Sequence, residues 1–394
     1  MASLLPFCVM VAVTAAAGYT LNYAVPSTGG CPVPTRFSTA TPIPREWSTS
    51  LSSSPQTIFT VAAPGSGAQI TEIQQTILDA FSVWTGVTGT TVNATTFPGA
   101  LGPLGETSTQ DACANDQSTN LSGEDTICFN QSSAAFTPGV LAFTRVFAAT
   151  APGQTIGATT SSFTGQILEA DILFRNDGQV TFATPGALAA NPSSYDLESI
   201  LIHEMGHFFG LEHSPIWRAA MTPSAPPPGT YWGPRPTATV PDAPLSDDDR
   251  TGLRVLYPDP NDTTDVGVIT GRVVPANPVS LAGLPATAAG EYVTGIFGAN
   301  VVAVDADTGQ VVAGALAGWS CASATSTPVF DGTYAIERLP LGRSYNIYIE
   351  PLDGAFLPAD IGGNGLNLCS ATDATPCTAP PVNADFVAHV RPSG

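Results

Sequence analysis

The stretch His203-Glu204-Met205-Gly206-His207-Phe208-Phe209-Gly210-Leu211-Glu212-His213 gathers three of the chain's four histidines. Two histidines four apart on a helix share a face, with Cβ atoms roughly 5–6 Å apart, so both rings can reach one zinc ion at about 2.0–2.1 Å. Gly210 can adopt the left-handed conformation that ends a helix and turns the chain back. That return brings His213 to a third corner of a tetrahedron and leaves the fourth for water. Zinc lowers the pKa of such a water to about 7, and Glu204, beside His203, is placed to take its proton and pass it to a leaving amine. These residue types fit hydrolysis at one catalytic zinc, with His203, His207 and His213 as ligands and Glu204 as general base. An ordinary amphipathic helix has no need of so scarce a residue type at this spacing. The fourth histidine, His389, reads as a surface or core residue.

These side chains need a scaffold. Ile70, Ile73, Ile77, Phe81 and Trp84 recur at steps of three and four and predict a helix with one apolar stripe. Ile167 to Phe174 reads as a strand closed by the turn Asn176-Asp177-Gly178. The histidine helix is expected over about Ser194 to Phe209, capped by Ser193 or Ser194 and stopped by Gly210. A third helix opens at Ser246, with Asp247, Asp248 and Asp249 at its positive end, and closes before Pro258. The segment from Gly18 to Gln56, rich in Pro, Ser and Thr, is expected to be extended.

The eleven residues match the metzincin signature HExxHxxGxxH. Met221, within Ala219-Ala220-Met221-Thr222-Pro223, falls where the Met-turn of that group follows, and this stretch resembles the matrixins. The resemblance extends over roughly Ile43 to Tyr257. It implies a zinc metalloendopeptidase of α+β class, a twisted mixed sheet with three main helices, acting on protein or peptide substrates. It also implies that substrate lies along an edge strand, for which Val140 to Ala148 is the candidate, with Pro223 to Pro244, including Tyr231 and Trp232, walling a neighbouring pocket. Matrixins carry a second, structural zinc on histidines that this stretch does not supply. Their latency cysteine sits in a prodomain, and no segment of that size precedes Ile43. Cys31 therefore has two readings, a switch on the open zinc position or a disulfide. The Asp-rich turns at Asp171, Asp177 and Asp247 to Asp249 offer oxygen ligands for calcium, though without a D-x-D-x-D-G loop.

Composition narrows the setting. The 394 residues carry 32 acidic against 12 basic side chains, a net charge of −20, and every basic residue is arginine. Nucleic acid and anionic membranes both need a basic footprint that this chain lacks. Met1 to Ala17 is a short apolar run ending in Ala15-Ala16-Ala17, the pattern of a secretory signal, too short to span a bilayer. An exported protein with no membrane span after signal removal is expected. Of the remaining cysteines, Cys113–Cys128 and Cys369–Cys377 read as local disulfides, leaving Cys31 and Cys321 to join the two halves or stay free.

The expected organisation is a signal peptide over 1–17, a metallopeptidase domain over 18–258, a linker over 259–265 and a small all-β sandwich over 266–394. The linker Pro258-Asp259-Pro260-Asn261-Asp262 predicts few contacts across the boundary. Ile269 to Val274, Gly298 to Ala303 and Asp331 to Tyr334 resemble carboxypeptidase regulatory-like sandwiches, which implies an accessory module that binds a protein or matrix partner. The competing reading is a catalytically inactive metzincin-fold adhesion or scaffold protein; intact Glu204 and the three histidines count against it.

Overall fold

The structure is a computed structural model. It describes residues 20–351 except 41–44, 49–57, 94–104, 107–120, 132–135, 275–294 and a few single positions. The expected signal segment, Cys113, the Cys369–Cys377 pair and His389 lie outside the described residues.

The strands, in chain order, are β1 (Tyr23–Ala24), β2 (Val33–Pro34), β3 (Arg45–Ser48), β4 (Ile58–Phe59), β5 (Gly105–Glu106), β6 (Asp125–Gln131), β7 (Ala142–Ala148), β8 (Thr155–Ile156) and β9 (Thr159–Thr160). They continue as β10 (Ile167–Arg175), β11 (Phe182–Ala183) and β12 (Tyr195–Asp196). The helices are α1 (Gly67–Thr85), α2 (Leu197–Phe208) and α3 (Asp247–Leu256). After α3 come β13 (Gly267–Arg272), β14 (Asn300–Asp305), β15 (Val311–Leu316), β16 (Thr333–Leu339) and β17 (Tyr345–Glu350).

The main sheet has the order β5-β3-β6-β10-β7 and is parallel except for β7, which runs antiparallel to β10 at the edge. Eight of the nine residues of β10 are buried. A strand covered on both faces has no solvent side, which is why Ile167 to Phe174 does not alternate cleanly. Helix α2 packs against β7, β10 and α1. The stripe Ile73, Ile77, Phe81 and Trp84 faces inward as its spacing predicts. Trp84 Nε1 donates to the carbonyl of Ile202 at 2.9 Å, and the Phe81 and Phe208 rings meet edge to face at 5.8 Å.

The start of α2 differs from expectation. Asp196 is the cap, accepting the Ser199 N–H at 2.8 Å. Tyr195 and Asp196 are drawn into β12 beside β11, so the helix cannot begin at Ser194. The Ser194 hydroxyl instead meets that of Thr181 at 2.8 Å. The end of α2 is as expected. Gly210 has φ 98°, its N–H donates to the His207 carbonyl, and the Leu211 N–H donates to the Gly206 carbonyl, both at 2.9 Å. This pair of bonds is the Schellman stop.

Beyond α3, β13 pairs with β16, and β14 lies between β15 and β17. Contacts with the preceding part are extensive. Helix α3 packs on β15 and β16, and one apolar core continues from Phe81, Leu201 and Leu253 into Val301, Ala313 and Ile336. The expectation of few contacts across the linker is therefore corrected. Short two- and three-stranded sheets cannot bury their own faces, and α3 packs against a strand of each. Cys31 is bonded to Cys321, with Cα atoms 6.0 Å apart, so Cys31 joins the halves and is not a switch on the histidine cluster. Cys128 is disulfide-bonded as well.

Tyr257, at the end of α3, ties three segments: its hydroxyl accepts the Phe37 N–H at 3.0 Å and donates to the Phe209 carbonyl at 2.8 Å. Tyr257→Phe strips both buried groups of this partner and should cost about 1–3 kcal/mol. Urea unfolding should show a lower midpoint with an unchanged slope; an unchanged midpoint would contradict this reading of the core.

Candidate metal centre

His203 and His207 lie on α2 and His213 on the loop that follows Gly210. The structure brings all three together: one ring nitrogen from each lies within 4.8 Å of the others, the only such grouping among the described residues. The Nδ1 of His203 faces the carbonyl of Ala220 at 2.8 Å, and the Nδ1 of His207 faces that of Leu211 at 2.9 Å. A carbonyl only accepts, so each Nδ1 carries the proton and each Nε2 presents a lone pair. The Nε2 atoms of His203 and His213 stand 3.0 Å apart. Two nitrogens about 2.0–2.1 Å from a tetrahedral ion would be roughly 3.3 Å apart, so this spacing fits a shared zinc. Burial pulls the rings below the ordinary histidine range, His203 to about 4 and His207 to about 3, with His213 also well below. The rings are therefore neutral at pH 7, the form that binds metal.

Glu204 points toward β7. Its Oε2 is 2.7 Å and its carbonyl oxygen 3.0 Å from the hydroxyl of Thr144. Burial pushes the carboxyl up to about 7, against the opposing pull of the Thr144 bond. Thr144 carries no signal in the sequence, because it approaches Glu204 only once β7 lies beside α2.

Met221 is buried. A Cβ on Gly206 would meet Met221 Sδ at 2.1 Å and Trp84 Cζ2 at 3.0 Å, so a larger residue there forces Met221 to shift. Asp249 fastens this turn to α3, accepting the N–H groups of Ala220 at 2.8 Å and Met221 at 3.1 Å. It also shares a capping box with Ser246. The sequence showed Asp249 as a helix-end charge; the structure adds its hold on the turn.

The remaining aspartates read as calcium ligands have protein partners. Asp171 accepts the Thr126 N–H at 3.1 Å, Asp177 pairs with Arg175 at 2.7 Å, and Asp247 pairs with Arg250 at 3.0 Å. The segment after the Met221 turn is pinned to the first turn of α2. Trp232 N–H donates to Ser199 Oγ at 3.1 Å, and Arg235, lying over the Tyr231 ring at 3.8 Å, pairs with Glu198 and with Asp196, the latter at 2.9 Å.

Residues 147–258 match the matrixin family. The matched stretch begins inside β7 and ends just past α3, and it contains Glu204, Met221 and the three histidines. Metalloendoproteinase 1 of Glycine max is 39% identical over 83 residues, 21% of this chain and 24% of that protein. The alignment thus spans about a quarter of that relative's length. Both findings support a matrixin-like metallopeptidase, and the family match covers the residues that form the histidine cluster.

Gly206→Ala tests the packing between Met221 and α2. Overpacking of this kind costs typically 1–3 kcal/mol. Melting temperature should fall and bound metal should be lost in the same preparation; a variant that melts and binds metal like the parent would show that Met221 can move away freely.

Proposed function

We propose that this protein is an exported zinc-dependent endopeptidase, hydrolysing peptide bonds with His203, His207 and His213 as ligands of one zinc and Glu204 as general base. The observation that carries the reading is the convergence of the ring nitrogens, with His203 and His207 turned by the Ala220 and Leu211 carbonyls so that Nε2 points inward. When bound, zinc supplies Lewis acidity toward the scissile carbonyl and acidifies a water.

The chain's own residues do the rest. Glu204, packed against β7, takes the proton of the attacking water and returns it to the leaving amine. Its buried setting keeps the carboxyl near 7, where it can both accept and release a proton close to neutral pH. Strand β7 ends the main sheet among the described residues, and its outer edge is the proposed place for an extended peptide to add as a further strand. The segment pinned by Trp232 and Arg235 forms the wall beside the start of α2. Export is supported by the Cys31–Cys321 bond, since disulfides persist in oxidising compartments. No helix among the described residues is long and apolar enough to cross a membrane. The C-terminal strands are proposed as a regulatory-like sandwich that contacts a protein or matrix partner.

Purified protein should contain one equivalent of zinc and cleave members of a random peptide library, and a chelator should abolish cleavage. Glu204→Ala should keep the zinc and lose roughly 10²–10⁴ in rate. Zinc well below one equivalent, with no gain on addition, sinks the metal centre; full activity in Glu204→Ala sinks the assigned base.

A further inference from the structure

The three histidines are not held alike. His203 and His207 each have a ring nitrogen on a backbone carbonyl, whereas the buried Nδ1 of His213 has no hydrogen-bond partner among the described residues. The direction of the third ring therefore depends on where its backbone is held. Two supports grip that backbone. On one side, Thr20 accepts the Glu212 N–H at 2.7 Å and its hydroxyl donates to the His213 carbonyl at 2.8 Å. On the other, Ser214 donates its N–H to the Met221 carbonyl at 2.7 Å, while its hydroxyl donates to Asp248 Oδ2 at 2.6 Å.

Asp248 is 1% exposed, and it is not the cap of α3, a role taken by Ser246 and Asp249. Its other oxygen, Oδ1, accepts the N–H of Gly314 at 2.8 Å, in the middle of β15. A buried carboxylate is tolerated only where hydrogen bonds replace its water, and here one donor comes from the His213 loop and one from the C-terminal sheet. The same loop is packed from that side as well: Ile216 and Ala219 form a buried cluster with Val302 of β14. The opposite support leads to the same place. The segment carrying Thr20 packs Tyr23 against Trp319, with ring centroids 5.1 Å apart, and is bonded to Cys321 through Cys31.

Resting on the zinc reading above, we infer that Asp248 is a positioning residue for His213, and that the docked C-terminal sheet completes the support of the metal centre. On this account the C-terminal strands do more than carry a binding surface. Without them Asp248 loses the Gly314 donor, Ile216 and Ala219 lose their cover, and the third ligand is left on a loosely held loop.

The test uses the full chain and measures zinc affinity by competition with a chromophoric chelator. Loss of a residue that orients a ligand typically costs 10–100-fold in metal affinity, and Asp248→Ala should fall in that range. Asp248→Asn should recover most of it, because the amide can still accept from Gly314 and donate to Ser214. Leu168→Ala, which removes buried volume from β10 in a separate cluster with Phe147, Ala149 and Ile156, controls for general loss of stability and should bind zinc like the parent. Asp248→Ala with parental affinity overturns the inference, and so does Leu168→Ala with an equal loss. Should Asp248→Ala fail to fold, Val302→Ala decides: weaker zinc binding supports the inference, and parental affinity overturns it. A parent chain that binds no zinc sinks the proposed function and this inference together, whereas zinc-binding parent with unaffected variants sinks the inference alone.

Discussion

The Nε2 atoms of His203 and His213 stand 3.0 Å apart, a distance at which a proton or a cation sits between two imidazoles. The surroundings have to impose that approach. Two carbonyls set ring tautomers, one from the turn before Met221 and one from Leu211 just past the helix stop. The helix stop in turn requires the left-handed Gly210. The turn that supplies Ala220 is pressed against Gly206 of the same helix and fastened by Asp249 to α3. Burial keeps the rings neutral, the form in which imidazole nitrogens can bind a cation.

Buried acids recur as ties in this chain, and their partners are largely backbone amides. Asp125 accepts the Ala170 N–H at 2.7 Å and Asp171 the Thr126 N–H at 3.1 Å, binding β6 to β10. Asp196 caps α2, Asp249 holds the Met221 turn, and Asp248 joins the His213 loop to β15. With 32 acidic and only 12 basic residues, most carboxylates in this chain have no cation to pair with. Backbone N–H groups are the remaining abundant donors, and bonds of this kind carry more energy than neutral ones. Arginine is used selectively, as at Arg235, whose fork reaches both Asp196 and Glu198.

The Cys31–Cys321 bond closes a loop of 290 residues, so it removes much of the unfolded chain's freedom in the chain-entropy view. Its ends lie on the two supports of the His213 loop. The linker at Pro258 to Asp262 is thus a connection within one packed body, and the proline pattern that announces an extended segment says nothing of what folds back against it.

Local chemistry was readable in the sequence. The i, i+4 histidines and Glu204, the Gly210 stop, the Ser246 cap and the inward stripe of α1 each depend on residues within a turn or two, where backbone geometry leaves few choices. The cap of α2 was misplaced by two or three residues, because pairing of Tyr195 and Asp196 with a distant strand overrode the local preference of Ser193 and Ser194. Tertiary structure alone decided what lies far apart in the chain. Thr144 reaches Glu204 across 60 positions, Asp248 reaches Gly314 across 66, and Thr20 reaches His213 across 193. Hydroxyls and carboxylates are common at the surface, and nothing in their neighbours' spacing says which will be buried against the histidine cluster. That outcome is set by how sheets and helices cover one another's apolar faces, an energy summed over the whole chain.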